Sequence, residues 1–160
     1  YFANAGTTGA VAGATPGQET SNASWLSATR GGAGFRQPIL TADETNLIIA
    51  EVQARQAATG AALTALNAVR AQYGLGALSG LTTPQLLGAI LTEKYIANFQ
   101  NPEAWADWKR TCMPNLPLAN GATSIPMRFI YGADERSTNP NIPQPNAAPR
   151  RNAVNPLVTT

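Results

Sequence analysis

The residues most able to do chemistry lie in one short run, Asn101 to Thr111, which reads NPEAWADWKRT. Glu103 and Asp107 stand four apart, the spacing that places two carboxylates on one helix face, and paired carboxylates do the acid–base work of glycoside hydrolysis. On an exposed helix the same spacing makes a solvated face of ion pairs, here between Asp107 and Arg110 or Lys109. That is the favoured reading. Trp105 and Trp108 stand three apart and so occupy neighbouring positions on one helix. Sugar stacking needs an exposed ring, whereas core packing needs a neighbouring apolar surface, and Tyr95, Ile96 and Phe99 supply one just upstream. Core packing is favoured for both, and a ligand platform is the alternative.

The rest of the inventory is sparse. Cys112 is the sole cysteine, so no internal disulfide forms within these residues, and a buried small hydrophobe is its favoured reading over a reactive thiol. The chain has no histidine. That removes Ser-His-Asp and Cys-His nucleophile pairs, His-ligated zinc and HExxH sites. GTTGAVAG at residues 6–13 lacks the Lys-Ser/Thr of a phosphate loop and a preceding strand. Asp134-Glu135 beside Arg136 reads as a turn or cap in a loop, and Arg128 as a partner for Glu135. No catalytic residue, cofactor or metal is expected, and no enzyme.

Eleven basic residues oppose nine acidic ones without forming a basic stripe, so nucleic acid is not an expected partner. Scarce charge and abundant Ala, Gly, Asn, Thr and Pro suit an extracytoplasmic protein. No apolar run approaches the roughly 20 residues that cross a bilayer. The chain opens on Tyr1 without a basic or apolar leader, which leaves either a removed targeting segment or a longer protein.

The elements that must position these residues are helical. Thr41 and Glu44 have the spacing of a capping box, and Leu47, Ile48, Val52, Ala50 and Ala54 then read as one apolar face. Gly60 interrupts, and a second helix is expected from about Ala61 to Tyr73, with Leu63, Leu66, Val69 and Tyr73 in register. Together they form a tetratricopeptide-like helical hairpin. Thr83 as N-cap and Pro84 in the first turn open a third helix carrying Leu86, Leu87, Ile90, Leu91, Tyr95 and Phe99. Asn101-Pro102 ends it and starts a fourth, which stops before Pro114.

The fold class is therefore mainly α: a helical hairpin plus a second helix pair, between long irregular N- and C-terminal arms. The expected divisions are a Gly-rich arm at 1–40, a helical core at 41–113 and a Pro-rich segment at 114–160. Ile125 to Tyr131 is the one strand-like stretch. Tyr1, Phe2, Trp25, Leu26 and Phe35 in the first arm, with Arg150 and Arg151 in the last, are candidate protein-interface residues. The first arm reads equally as a flexible surface loop.

Four segments carry a resemblance. LTADETNLIIAEVQAR, ALNAVRAQYGL, EKYIANFQNPEAWADWKRTCMPNL and IPMRFIYGADERSTNP occur in the order and spacing of SusD/RagB-like outer-membrane nutrient-binding lipoproteins. In the last segment the matching positions are Ile125, Pro126, Arg128, Tyr131, Glu135, Asn139 and Pro140, with Gly132 where that family usually has proline. The likeness covers roughly Leu40 to Pro140, and members of that family are several times longer. It implies a mostly helical, non-enzymatic protein at the outer face of the outer membrane, capping a TonB-dependent transporter and capturing glycans or other nutrients. No N-terminal cysteine is present to carry that family's lipid anchor. The expected function is a shortened SusD-like accessory subunit in the periplasm or at the outer-membrane surface. Its partners would be other protein subunits of a membrane-associated complex, with glycan or nutrient binding as the alternative.

Overall fold

The computed structural model describes residues 13–14, 23–122, 125–126, 131–142 and 150–151. It is mainly helical. In chain order the elements are α1 (Ala28–Gly31), α2 (Ala42–Arg55), α3 (Thr59–Gln72), α4 (Thr83–Ala97), α5 (Glu103–Thr111), β1 (Ile125–Pro126), α6 (Ala133–Thr138) and β2 (Arg150–Arg151). They divide into two compact units. One holds α2 to α5, within residues 34–115, and the other holds α1, β1, α6 and β2.

In the helical unit, α2 and α3 form the expected hairpin, and α4 and α5 the second pair. The Thr41 hydroxyl accepts from the Glu44 backbone N–H at 3.0 Å and so starts α2. The carboxylate half of the expected capping box is not made. The Glu44 side chain accepts instead from Asn98 Nδ2 of α4's C-terminal cap, at 3.0 Å and fully buried. The break between α2 and α3 also differs from expectation. Ala57, with φ 60°, makes the turn, while Gly60 lies inside the first turn of α3. A β-carbon disfavours that left-handed conformation, so sequence propensity points to the wrong residue.

Chain direction follows from cross-helix partners. The Tyr73 hydroxyl, just after α3, donates to Asp43 at the start of α2, so these two run antiparallel. Asn98 meets Glu44, so α4 is antiparallel to α2 as well, and α3 and α4 run parallel. The Arg70–Glu93 ion pair joins their matching ends. A parallel pair needs a connection that returns along the helix, and residues 73–82 supply it. Asn67 of α3 straps this return to the helix, donating to the Leu78 carbonyl at 3.0 Å and accepting from its N–H at 2.9 Å. Arg70 Nε donates to the Gly76 carbonyl at 2.9 Å in the same way.

The core comprises Leu47, Ala50 and Ala54 of α2, Ala62, Leu66 and Val69 of α3, and Leu86 and Ile90 of α4. Small alanines where α2 meets its neighbours let the helices approach closely, and leucines fill the space between. Three residues assigned to the apolar faces by sequence are not on them: Tyr73, at the end of α3, is exposed, and the other two are on α2. Ile48 and Val52 are exposed, together with Ile49, on the far side of α2. Leu47 and Ile48 are about 100° apart around a helix, so an apolar run cannot share one face. Helix α4 opens with Thr82 rather than Thr83 as its cap. Gln85 Oε1 accepts from the Thr82 backbone N–H at 3.0 Å and hydroxyl at 2.9 Å.

In the other unit, β1 and β2 pair antiparallel, Ile125 with Arg151 and Pro126 with Arg150. Residues 133–138, expected to be irregular, form α6. Asp134 and Glu135 lie in its first turn, where negative charge suits the positive helix end, and Ser137 and Thr138 both donate back to the Asp134 carbonyl. The wider strand reading falls partly on 127–130, outside the described residues, as does Arg128. Among the described residues no helix is long and apolar enough to cross a membrane.

Candidate functional site

The NPEAWADWKRT run forms α5 and its start. Asn101 Oδ1 accepts from the Glu103 N–H at 3.0 Å, while the cap position itself falls on Pro102, one residue later than the sequence indicates, with helical backbone angles. The two tryptophans then part company. Trp108 is 1% exposed, and its Nε1 donates to the Pro114 carbonyl at 3.1 Å, which satisfies the ring's one polar atom. Trp105 is half-buried, with the Lys109 ammonium 4.1 Å from its ring centroid, a cation–π contact. The core reading therefore describes Trp108. Trp105 keeps part of its ring in solvent.

The charged residues of α5 reach further than pairs on one helix. Arg110 donates from Nη1 to Glu51 Oε1 at 2.7 Å and from Nη2 to Glu51 Oε2 at 2.9 Å, a fork-on-fork pair to α2. Arg55 joins the same carboxylate, Nη2 to Oε1 at 2.7 Å and Nε to Oε1 at 2.9 Å. On its other side Arg110 Nη2 holds Asp107 Oδ1 at 2.9 Å, and Asp107 Oδ2 meets Lys94 Nζ of α4 at 2.6 Å. The result is an alternating ladder, Arg55–Glu51–Arg110–Asp107–Lys94, that ties α2, α5 and α4 together. Glu51 and Lys94 are buried.

This environment sets the titration of its members. Burial alone would push the Glu51 carboxyl up, but hydrogen bonds and charge from Arg110 and Arg55 outweigh that and hold it below its ordinary range. Hydrogen bonding to Glu51, helped by Asp107, raises the Arg110 guanidinium further above neutrality against the cost of its own burial. Both groups stay charged, and the ladder is a structural clamp. Asp107 spends one oxygen on Lys94 and the other on Arg110, while Glu103 is exposed on the first turn. Sequence spacing finds the Asp107–Arg110 step. It misses Glu51, Arg55 and Lys94, because the register between helices is absent from the sequence.

Thr111 and Cys112 finish the helix, both buried. The Thr111 hydroxyl donates to the Asp107 carbonyl at 2.8 Å and accepts from the Met113 N–H at 3.2 Å. Cys112 adopts the left-handed conformation at φ 55°. Among the described residues no group of His, Cys, Asp and Glu side chains is placed to hold a metal ion.

Of the candidate interface residues, Trp25 is 75% exposed, Leu26 and Phe35 are half-buried, and the backbones of Arg150 and Arg151 form β2. Tyr1 and Phe2 lie outside the described residues, as does most of 6–13. Two large side chains that sequence reading passed over are more exposed still. Ile39 is 82% and Leu40 81% exposed, directly before the α2 cap. Their signal was available: an aliphatic residue preceding an N-cap often packs on the fourth helical residue, and here that position holds Thr45. No protein-family model, curated protein or solved structure matches the chain.

Proposed function

We propose that this chain is a non-enzymatic accessory subunit, a shortened SusD-like module docked on a larger membrane-associated complex at its extracytoplasmic face. The observation that carries this reading is that each unit leaves large apolar side chains mostly in water, Trp25 in one and Ile39 and Leu40 in the other. Covering such side chains releases about 1.5–3 kcal/mol each, an incentive for a partner surface. The residues behind the SusD likeness are consistent with it. Glu51, Arg55, Lys94, Asp107, Trp108, Arg110 and Thr111 are committed to holding helices together, so the shared motif serves the fold and leaves recognition to other surfaces. The scattered charge argues against nucleic acid.

The test is purification of the tagged full chain from envelope membranes in mild detergent, with its partners identified by mass spectrometry. The reading expects a defined set of envelope subunits in fixed ratio, lost when Trp25→Ser is combined with Leu40→Ser while the helical circular dichroism stays intact. A chain recovered alone, or a partner set indifferent to these substitutions, overturns it. A second reading, glycan or nutrient capture beside a TonB-dependent transporter, is favoured only by the part of Trp105 left exposed. Glycan binding abolished by Trp105→Ala would support it.

A further inference from the structure

We infer that α5 is a latch, a helix that opens from the α2–α3–α4 core as a unit of its own and is held shut by the ion ladder. Four observations converge on it. First, the apolar cluster that joins α2, α3 and α4 has no buried member from α5, whose own buried apolar residues, Trp108 and the capping Cys112, lie apart from that cluster. Second, α5 packs as a helix on α4, and it reaches α2 through the long Arg110 side chain clasping Glu51. Third, the ladder has an anchor at each end of this attachment, Glu51 on α2 and Lys94 on α4, with Asp107 and Arg110 of α5 between them.

The fourth observation supplies the opposing force. Among the described residues the non-glycine positions with positive φ are Ala57, Gln100 and Cys112, and the last two bracket α5, at 69° and 55°. Side chains disfavour this conformation, so both ends of the helix are held in arrangements that relax on release. Nine residues are too few for a stable free helix, so once detached α5 unravels and does not linger as a rigid arm. Charge-assisted bonds and Trp108 hold the closed form, while strain and chain entropy favour the open one. Such an element opens at lower free energy than the whole fold. Opening uncovers Trp108 and Cys112, giving the module a second surface that the closed form hides. The inference does not depend on the docking proposal, because it concerns only this chain's own helices.

Cys112 is the chain's only thiol and is 1% exposed, so it reports opening directly. The experiment measures its reaction with a disulfide dye in the folded full chain, across a urea series, beside helical circular dichroism. In the wild type, labelling is expected to proceed at low urea with little urea dependence, because a local opening exposes little surface. Arg110→Gln leaves Glu51 paired with Arg55 and Asp107 with Lys94. It is expected to speed labelling about fivefold, the equivalent of about 1 kcal/mol, with the shallow urea dependence of labelling retained, and global unfolding free energy falls by the same amount because only the closed form loses the contact. Labelling that rises only in step with global unfolding, in wild type and variant alike, overturns the latch. So does labelling indifferent to Arg110→Gln. Should that variant misfold, the wild-type urea dependence decides by itself.

Discussion

Arg110 of α5 lays both terminal nitrogens on the two oxygens of Glu51 in α2, at 2.7 and 2.9 Å, across 59 residues of chain. The pair is unequal in setting. Glu51 is buried, and the Arg110 side chain is nearly half exposed. Removing the arginine therefore leaves a carboxylate still held by Arg55, whereas removing the carboxylate takes a partner from two guanidinium groups at once and leaves Arg110 with Asp107 alone. Glu51→Gln is expected to lower unfolding free energy by about 1–3 kcal/mol, and Arg110→Gln by about 1 kcal/mol or less. A double-mutant cycle read by urea denaturation checks the order.

The same pair sets an acid limb. Glu51 titrates below its ordinary 4.5 in the folded chain, so its contribution is fully present above that value and is lost as pH falls through the lower folded value. The urea midpoint is expected to hold down to about pH 5 and to fall below it. Glu51→Gln should be less stable at neutral pH and show a shallower acid decline. Equal acid slopes in the two proteins would refute this.

The tryptophans separate on stability. Trp108→Ala empties a buried site and orphans the Pro114 carbonyl, and a loss of about 3–5 kcal/mol is expected. Trp105→Ala gives up a partly exposed ring and one cation–π contact, for about 1 kcal/mol. Thermal melts of the two variants make the comparison.

Ala57 and Gly60 occupy each other's favoured positions. Ala57 is at φ 60°, and a β-carbon on Gly60 would meet nothing within 4 Å. Ala57→Gly with Gly60→Ala is expected to stabilise the chain by about 0.5–1 kcal/mol, through relief of left-handed strain and recovered helix propensity. A raised melting temperature with unchanged helical content is the readout.

Asn67 is the clamp of the return from α3 to α4. Asn67→Ala leaves both the Leu78 N–H and its carbonyl without this partner, and a loss of about 1–3 kcal/mol is expected. Asn67→Asp keeps an acceptor for the N–H but loses the donor, and should fall between Ala and wild type in the same urea assay.

Much of the framework is legible from local chemistry. Thr41 and Asn101 as helix starts, Pro114 beyond the last core helix, and leucines at helical spacing are decided by each residue's own backbone and nearest neighbours. The mainly helical class follows from them. What misled were cases where two local readings compete. Leu47 and Ile48 are equally apolar, and only the placement of α3 and α4 decides which one is covered. Glu44 has capping-box spacing, yet a buried Asn98 on another helix claims its carboxylate. GADERST carries caps and acids enough for a short helix, but its glycine and flanking prolines conceal it.

The sequence by itself indicated the starts of α2 and α5 and an inside place for Trp108, and it closes histidine-based chemistry to these residues. Only the tertiary structure decided that α3 and α4 run parallel, that Trp105 and Trp108 face different environments, and that five scattered charges form one ladder. The physical reason is range. Caps and helical periodicity act over three or four residues, whereas a buried ion pair needs the register between helices, and that is fixed only when the core closes.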